Sequence, residues 1–292
     1  AGVTNLGAIG SPPAVLVSVI VATKNDRANL SRMIKQAQAA ALRATEIIIV
    51  DGGSIDGTQD FLLTLDSWQS PSIRWSSAPD NGIAQAWNRG VPSARGEWIV
   101  FLGADDRIYD CDAWEATIQV LSTLPASCGL ALAPVAVVSP AGRLLATELP
   151  PPRPMLERCL TQTPLAHQGL FHRRGLWAAL GSFDTALQIT ADYEFCLRAL
   201  RAGGICEPLG VAPPVAMTFG GTSKRDPLAT LREIRRVQRR YDVRLPASVR
   251  SSQWLRSSLK WCGLRCLPPS AAAWWADVFR RMRGLPAVWT VR

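Results

Sequence analysis

Two adjacent carboxylates, Asp105 and Asp106, suggest chemistry most directly in this sequence. They follow an apolar run over residues 98–102, which is typical of a strand covered on both faces. Open α/β sheets bind ligands at the carboxyl ends of their strands, so both side chains are expected at a ligand edge. Neighbouring carboxylates repel each other, and such oxygen-rich sites suit Mg²⁺ or Mn²⁺ shared with substrate phosphates. A solvated acidic turn is the alternative.

Other polar residues lie next to regular segments. Thr23 and Asn25 belong to the segment ATKND, directly after the apolar run VLVSVIVA. Asp51 ends a second apolar run, and the two glycines that follow it allow a ligand to approach the backbone closely. Asp80 and Asn88 belong to APDNGIAQAWNRG, before and inside a predicted helix. The structural alternatives are a helix cap, a turn and a solvent-facing amide.

The elements that must position these residues alternate between strand and helix with short connections. This alternation predicts an α/β fold with a doubly wound, mostly parallel sheet. The segment PPPRP at 150–154 is a stiff break in the chain. Strands are predicted at 15–22, 46–50, 73–76, 98–102, 130–138 and 215–219. Helices are predicted at 29–42, 58–65, 82–91, 111–124, 174–180, 191–202, 226–241, 248–264 and 271–282.

Charge divides the 292-residue chain into a slightly acidic front part and a basic extension. Residues 1–14 are expected to be a flexible lead-in without the features of a secretory signal. Residues 15–223 are expected to form one domain. Residues 224–292 carry 16 Lys and Arg against 4 Asp and Glu, which predicts a basic helical C-terminal extension.

Composition narrows the class of protein. A hydrophobic content of 48% with 19% charged residues is ordinary for a soluble globular enzyme. Seven scattered cysteines without a CxxC pair, and only two histidines, disfavour a zinc site and favour a reducing, cytosolic compartment. No apolar stretch reaches eighteen residues, so no membrane-spanning helix is expected.

The order of the motifs carries a family resemblance. The segments VSVIVATKND, IIIVDGGSIDGT, APDNGIAQAWNRG, GEWIVFLGADD and FDTALQITADYEFCLRAL follow one another over residues 15–220. In this order the chain resembles the family 2 glycosyltransferases, which are inverting enzymes of the Rossmann-like GT-A fold that use nucleotide-sugar donors. The resemblance is specific because several separate motifs occur in register. It implies a GT-A catalytic domain at 15–223, with a nucleotide-sugar half at about 15–110 and an acceptor half at about 111–223.

The resemblance also implies roles for the donor-side residues. Thr23 and Asn25 match positions that contact the nucleotide base and ribose. Asp51 would accept a hydrogen bond from a base N–H, which favours uracil, thymine or guanine over adenine. Asp80 matches a position near the ribose and the diphosphate, and Asn88 is a candidate donor contact at the sheet edge.

The same resemblance assigns a cation and a general base. Asp106, together with Asp105, would hold Mn²⁺ or Mg²⁺, although Gly103 stands where many relatives carry Asp or Asn. Taken alone, Asp192 is interpreted as a helix cap. In the family, however, the general base occupies its position, and Glu194 is the second candidate for that base. His167 and Arg173 lie between the two motifs, where contacts to an acceptor or a phosphate are expected; structural roles are the alternative.

The implied activity is transfer of a sugar, with inversion, to a hydroxyl of a glycan or lipid-linked saccharide in cell-surface polysaccharide synthesis. A non-catalytic nucleotide-sugar-binding protein and a sugar nucleotidyltransferase are the alternatives. The nucleotidyltransferase is disfavoured because ATKND is not a Gly-, Arg- and Lys-rich triphosphate loop.

The basic tail allows two interpretations. Residues 271–283 combine Trp and Arg at helical spacing, which suits the surface of an anionic membrane, and they could equally pack on the catalytic domain. Nucleic acid is not expected as a partner because no recognised binding module accompanies the charge. The predicted location is cytoplasmic, with peripheral contact to the membrane.

Overall fold

A computed structural model of the chain describes residues 15–40, 42–65, 72–153, 156, 165–219 and 226–266, together with positions 271, 274, 277, 278 and 281. The predicted lead-in 1–14, the last residue of the PPPRP segment and most of the predicted helix 271–282 lie outside the described residues. The membrane or packing role expected for 271–283 therefore stays a prediction.

Strands and helices alternate through the first half of the chain, as predicted. The strands are β1 Val17–Thr23, β2 Thr45–Asp51, β3 Ser72–Ser77, β4 Trp98–Gly103, β5 Arg107–Ile108, β6 Cys128–Leu132, β7 Val135–Val138, β8 Leu144–Glu148, β9 Leu170–Arg173, β10 Ile205–Pro208 and β11 Val215–Thr218. The helices are α1 Arg27–Ala39, α2 Thr58–Leu63, α3 Ile83–Gly90, α4 Cys111–Thr123, α5 Gly175–Leu180, α6 Ala191–Arg201, α7 Pro227–Arg240 and α8 Ala247–Cys266.

A mostly parallel sheet lies at the centre of the described fold. Its strand order is β10-β6-β9-β4-β1-β2-β3, and β1 pairs in parallel with both β2 and β4. The strand β9 runs antiparallel to its neighbours β4 and β6. A smaller sheet has the order β5-β11-β7-β8. The predicted α/β class with a doubly wound, mostly parallel sheet is confirmed.

The residues of β1 explain why the sheet is covered on both faces. Alternate side chains of a strand point to opposite faces. Val17, Val19 and Val21 belong to the core on one face, whereas Ile20 and Ala22 belong to the core on the other. Every residue of β1 is buried, so its apolar pattern is continuous rather than alternating. Because both faces of β1 are covered, a ligand would approach this strand at its end.

The predicted strand at 130–138 is wrong, because the chain forms two strands there. β6 belongs to the large sheet and β7 to the small one, and Ala133 and Pro134 separate them. A proline has no N–H to donate to a sheet ladder, so it interrupts a central strand. The strand β9, which lies between β4 and β6 in the large sheet, was not predicted either.

The basic helix α7 packs on the same domain. Val237 is buried among the residues of the core that contains Ile20, and Ile234 and Tyr241 pack against this core. The apolar face of α7 therefore covers the sheet, and its basic residues lie elsewhere on the helix. Among the described residues, no helix is long and apolar enough to cross a bilayer.

His172 on β9 is buried within an aromatic cluster, with the rings of Phe101, Trp177 and Phe195 between 5.5 and 5.8 Å away. Burial lowers the pKa of His172 to about 3, so the folded protein keeps this ring neutral. The unfolded chain takes up a proton near pH 6.5, whereas the folded chain does so only near pH 3. Stability contributed by His172 is therefore lost as the pH falls through this window.

We expect this loss to reach about 2 kcal/mol in the free energy of unfolding at roughly pH 5. The variant His172→Phe keeps a flat ring in the cluster and cannot titrate, so its stability should fall less on acidification. Urea unfolding of both proteins at neutral and acidic pH measures the difference. Parallel losses in the two proteins would contradict the assignment.

Candidate active site

The carboxyl ends of three neighbouring strands bring the predicted donor-side motifs together. In the register of the sheet, Thr23 lies opposite Asp51, and Ala22 lies opposite Gly103. The loops after β1, β2 and β4 therefore leave the sheet at one edge. This edge is where an open α/β sheet binds a ligand.

Asp51 is fully buried and tied into the loop that follows it. Its Oδ2 accepts hydrogen bonds from the backbone N of Ser54 at 3.0 Å and from Ser77 Oγ at 2.6 Å. Its Oδ1 accepts a further hydrogen bond from Ser54 Oγ. The carboxylate is thus held rigidly at the ligand edge. The two serines were not predicted, because their contacts depend on how the loop folds back.

Asn25 connects the loops after β1 and β2. Its backbone lies in the left-handed region with φ of 51°, which asparagine tolerates better than most residues. Its Oδ1 accepts from the backbone N of Ile55 at 2.8 Å, and its own backbone N donates to Ser54 Oγ at 2.7 Å. Thr23 is buried beside it, and its hydroxyl has no hydrogen-bond partner among the described residues.

Asp80 lies against the same edge between two cationic side chains. Arg89 Nη2 is 3.3 Å from Asp80 Oδ2, and Lys24 Nζ is 3.7 Å from Asp80 Oδ1. A Cβ at Gly52 would lie only 2.7 Å from Asp80 Oδ2, so glycine is needed there for this close approach. Arg89 also donates to the carbonyl oxygen of Asp51 at 3.0 Å. Arg89 was not predicted, and its contacts hold Asp80 and the Asp51 backbone together at this edge.

Asn88 has a different environment from the one expected. Its Nδ2 donates to the carbonyl oxygen of Phe183 at 3.0 Å, and its Oδ1 accepts from the backbone N of Phe183 at 2.9 Å. Both ends of the amide are therefore used to hold α3 against the loop after α5. We leave Asn88 out of the candidate ligand contacts for this reason.

Asp106 is buried at the end of β4 and strongly held. Its Oδ2 accepts from the backbone N of Gly103 at 2.9 Å and from Gln168 Nε2 at 3.2 Å. Burial raises the pKa of Asp106 to about 6, and the neighbouring charge of Asp105 contributes to the increase. A bound cation would oppose both effects, because it favours the ionised carboxylate.

The donor set fits a cation that is shared with a substrate. The described residues contain no group of three or more His, Cys, Asp or Glu side chains that could enclose a metal. Mg²⁺ is usually bound through one or two carboxylates, with phosphates and water completing its shell. Asp105 and Asp106 match that arrangement. A Cβ at Gly103 would lie 2.8 Å from Asp105 Oδ1, so glycine at this position leaves room for the Asp105 carboxylate.

Asp192 lies near the start of α6 and faces His167. The distance between Asp192 Oδ2 and His167 Nδ1 is 3.4 Å, and both residues line a small cavity with Cys196. Burial raises the pKa of Asp192, and nearby His167 acts in the opposite direction. The N-cap residue of α6 is Thr190, so Asp192 is not the cap residue itself.

A single turn connects the two carboxylate sites. His167 and Gln168 are adjacent in a short 3-10 helix, and they contact Asp192 and Asp106 respectively. The His167 ring contacts the Trp87 ring at a tilt of 59°, with ring centres 5.2 Å apart, which helps to fix the position of the turn. The structure therefore brings the predicted cation ligand and the predicted base into one site. Gln168 lies in the segment where acceptor or diphosphate contacts were expected, but its contact with Asp106 was not predicted.

Two further candidates lie away from this site. β9 is antiparallel to β4, so Arg173 pairs with Trp98 at the amino end of β4, opposite the ligand edge. Its guanidinium donates to the carbonyl oxygen of Cys128 at 2.8 Å and forms an ion pair with Glu97. The expected acceptor or phosphate contact of Arg173 is therefore corrected to a structural role.

Glu194 is also corrected to a structural role. It is buried on α6, and its Oε2 is 2.9 Å from Arg198 Nη2. Its Oε1 accepts a hydrogen bond from the hydroxyl of Tyr241, beyond the end of α7. A carboxylate held by a cation and a phenol in this way is poorly suited to accept a proton.

The loop that leads to Asp192 is held by α7. Glu233 Oε1 accepts from the backbone N of Gln188 at 2.8 Å, and its Oε2 accepts from the backbone N of Ile189 and of Thr190, both at 2.9 Å. Thr190 Oγ1 donates to the same Oε2 at 3.0 Å. One carboxylate from the basic extension thus satisfies the donors directly before Asp192. No sequence pattern indicated this contact.

Comparisons with known proteins agree with this architecture. The sequence model of the family "Glycosyl transferase family 2" matches residues 18–163. An uncharacterized glycosyltransferase of Mycobacterium tuberculosis is 31% identical over 78% of this chain and 86% of its own length. A PGL/p-HBAD biosynthesis glycosyltransferase of Mycobacterium bovis is 28% identical over 77% of this chain and 89% of its own length.

Solved structures share the fold. S. aureus TarS 1–349 in complex with UDP-GlcNAc superposes with a TM-score of 0.61 at 15% identity, covering 93% of this chain and 82% of that chain. This chain spans about half of the longer TarS chain, 49% of its length. The mannosyltransferase PcManGT from Pyrobaculum calidifontis, in complex with GDP-Man and Mn²⁺, has a TM-score of 0.56 at 17% identity, covering 91% and 75%.

These neighbours are GT-A glycosyltransferases, and the mostly parallel sheet described above is the sheet of that fold. The motif order, the sheet edge and the relatives lead to the same family. The chain belongs to the family 2 glycosyltransferases.

Proposed function

We propose that this enzyme transfers a sugar, with inversion, from a nucleoside-diphosphate donor to a hydroxyl group of a saccharide acceptor. The observation that carries the proposal is the turn in which His167 contacts Asp192 while Gln168 contacts Asp106. This turn puts a candidate base beside a candidate cation site. The UDP-GlcNAc of TarS and the GDP-Man of PcManGT support a nucleotide-sugar donor.

The donor half of the proposal uses the edge formed by the carboxyl ends of β1, β2 and β4, which we call the donor edge. Asp51 would accept a hydrogen bond from a base N–H, and Thr23 and Asn25 would border the base and ribose. Asp80 would lie near the ribose and diphosphate. The side chain of Lys24 is half exposed beside Asp80 and could reach a phosphate oxygen. Uracil and guanine both carry the N–H that Asp51 would require. They are the bases of UDP-GlcNAc and GDP-Man, the nucleotide sugars in the TarS and PcManGT structures.

Asp105 and Asp106 would hold Mg²⁺ or Mn²⁺ at the end of β4. Such an ion, when bound, offsets the negative charge that develops on the departing nucleoside diphosphate. The protein's own contribution is to fix the Asp106 carboxylate through the backbone N of Gly103 and the amide of Gln168.

Asp192 would act as the general base. The acceptor oxygen attacks the anomeric carbon opposite the bond to the diphosphate, that bond breaks, and the hydroxyl proton passes to the Asp192 carboxylate. One such in-line displacement inverts the anomeric configuration. Burial raises the pKa of Asp192, which makes its carboxylate a stronger proton acceptor. His167 would keep this carboxylate oriented toward the acceptor.

The variant Glu233→Gln tests how the base is positioned. The new amide group would face backbone N–H donors, so at least one hydrogen bond to the 188–190 loop is lost. We expect the free energy of unfolding to fall by about 1–3 kcal/mol and the turnover number by roughly 10- to 100-fold. Donor affinity should stay unchanged, because the donor edge does not contact Glu233.

The matched control is Asp242→Asn, which removes a carboxylate that is 78% exposed and pairs with Arg244. It should leave both stability and turnover near the wild-type values. Normal turnover in Glu233→Gln, or an equal loss of donor affinity, would contradict the positioning role.

The acceptor part of the proposal is a glycan or lipid-linked saccharide in cell-surface polysaccharide synthesis. The mycobacterial relative is named for PGL/p-HBAD biosynthesis, which supports a biosynthetic role for this chain. We place the enzyme in the cytoplasm, in peripheral contact with a membrane. Cys111, Cys128, Cys196 and Cys262 form no disulfide within the described part of the chain, which supports a reducing compartment.

The activity is tested with a panel of UDP- and GDP-sugars and saccharide acceptors, in Mn²⁺ and in EDTA. A true donor should raise the midpoint of thermal unfolding, since a ligand of the folded state stabilises it by mass action. Release of nucleoside diphosphate with product of inverted configuration supports the proposal. Stabilisation without any release would indicate a binding protein, and release of pyrophosphate from a nucleoside triphosphate would indicate a nucleotidyltransferase.

A further inference from the structure

A groove of about 710 Å³ lies between α7 and α8, outside the candidate active site. Four arginines line it: Arg232, Arg235 and Arg239 from α7, and Arg250 from α8. None of the described residues that line it is acidic. The groove therefore concentrates positive charge at a place where the proposed reaction has no use for it.

Within residues 226–266, few acidic residues are present to neutralise the charge of the groove. Residues 226–266 contain ten Lys and Arg but only three Asp and Glu. Each of these three acidic residues is engaged elsewhere: Asp226 caps α7, Glu233 holds the 188–190 loop, and Asp242 pairs with Arg244. None of these three carboxylates pairs with an arginine of the groove.

The arginines themselves confirm this imbalance. Arg232, Arg239 and Arg250 form no ion pair with any described residue. Among the described residues, Arg235 is bound by neutral amides, with Nη1 at 2.9 Å from Gln238 Oε1 and Nη2 at 2.6 Å from Gln253 Oε1. The guanidiniums of Arg232, Arg239 and Arg250 are available to an external anion, and their planar forks match phosphate oxygens.

Apolar residues accompany the arginines. Leu228, Leu231 and Trp254 line the groove together with them. Trp254 is 62% exposed, and its neighbour Leu255 is 53% exposed. Tryptophan beside basic residues on a helix is typical of the interface between a membrane and water, where an apolar ring and a charged group both find partners. A soluble phosphate would satisfy the charge but leave these apolar side chains in water.

We propose that the groove between α7 and α8 binds the phosphate headgroups of anionic phospholipids and seats this face of the protein on a membrane surface. The guanidiniums contact the phosphates, and Trp254 and Leu255 enter the interfacial layer. This site is separate from the predicted contact at 271–283, and it does not depend on the proposed reaction.

Co-sedimentation of the full chain with vesicles tests the site. The probes are phosphatidylcholine vesicles with and without phosphatidylglycerol, and the variant is the double substitution Arg232→Gln/Arg250→Gln. We expect binding only to the anionic vesicles, and an increase of about thirtyfold in the apparent dissociation constant of the variant, since each basic residue near the surface contributes about 1 kcal/mol. High salt should weaken the wild-type binding.

The matched control is Arg32→Gln/Lys35→Gln, which removes the same charge from exposed positions on α1, outside the groove. It should change the dissociation constant by less than about threefold. Unchanged circular dichroism and thermal midpoints in both double variants show that the fold is retained. Equal weakening by the two double variants would overturn the site, because general charge would then explain binding.

Two other results would overturn the proposal. Equal binding to neutral and anionic vesicles, or no binding to either, removes the anionic headgroup. Tight binding of inorganic pyrophosphate or of a short RNA, combined with no sedimentation on vesicles, would assign the groove to a soluble polyanion or to nucleic acid.

Discussion

Replacing Asp192 by asparagine is expected to lower the rate of sugar transfer by about 10² to 10⁴, the usual contribution of a general base. Asparagine keeps the volume of the side chain but cannot take the acceptor's proton near neutral pH. Stability should change little, because Thr190 and not Asp192 is the N-cap of α6. Donor affinity should also hold, since the donor edge lies at β1, β2 and β4.

The control for this variant is Glu194→Gln on the same helix. Its partners are Arg198 and Tyr241, so it should alter stability while leaving the chemical step intact. Initial rates at saturating donor, together with the affinity for donor and the thermal midpoint, separate the two effects. Near-normal transfer by Asp192→Asn would rule out the assignment of the base.

Replacing Asp106 by asparagine is expected to weaken Mn²⁺-dependent donor binding by about a hundredfold or more, because it removes a charged ligand from a site that offers two carboxylates. The amide can still accept the hydrogen bond from the backbone N of Gly103, so the fold should be retained. Titration calorimetry with a nucleotide sugar in Mn²⁺ and in EDTA measures the cation-dependent part of the affinity.

Asp112→Asn is the matched control for Asp106→Asn. Asp112 is an exposed carboxylate in the first turn of α4, so it has the same charge but no contact with the site. Its loss should leave donor binding unchanged. If donor affinity at fixed Mn²⁺ were the same in Asp106→Asn as in the wild type, the cation site at the end of β4 would be refuted.

The donor edge was predictable from sequence because its geometry is local. Each of β1, β2 and β4 is a continuous apolar run that ends on polar residues, and parallel pairing necessarily brings those ends together. The positions of Thr23, Asp51 and Asp106 at one edge follow from this rule alone. Their individual hydrogen-bond partners do not.

The rest of the site depends on pairings between distant segments. Gln168 reaches Asp106 across 62 positions of sequence, and Glu233 reaches Thr190 across 43. Neither contact leaves a periodic pattern that could be read in advance. Arg173 was misplaced for the same reason, since the antiparallel direction of β9 is set by its neighbours β4 and β6 and not by its own four residues.

The insertion of β9 between β4 and β6 has a consequence for synthesis on the ribosome. A nascent chain is extended from its N-terminus at about 5–20 residues per second, and its early segments fold first. The donor edge can form once β4 has emerged, but the gap beside it stays open until residue 173 is released. The loop before Asp192 is completed later still, because Glu233 must emerge from the ribosome before it can bind the backbone of this loop. A nascent chain could therefore hold a donor before it could use one.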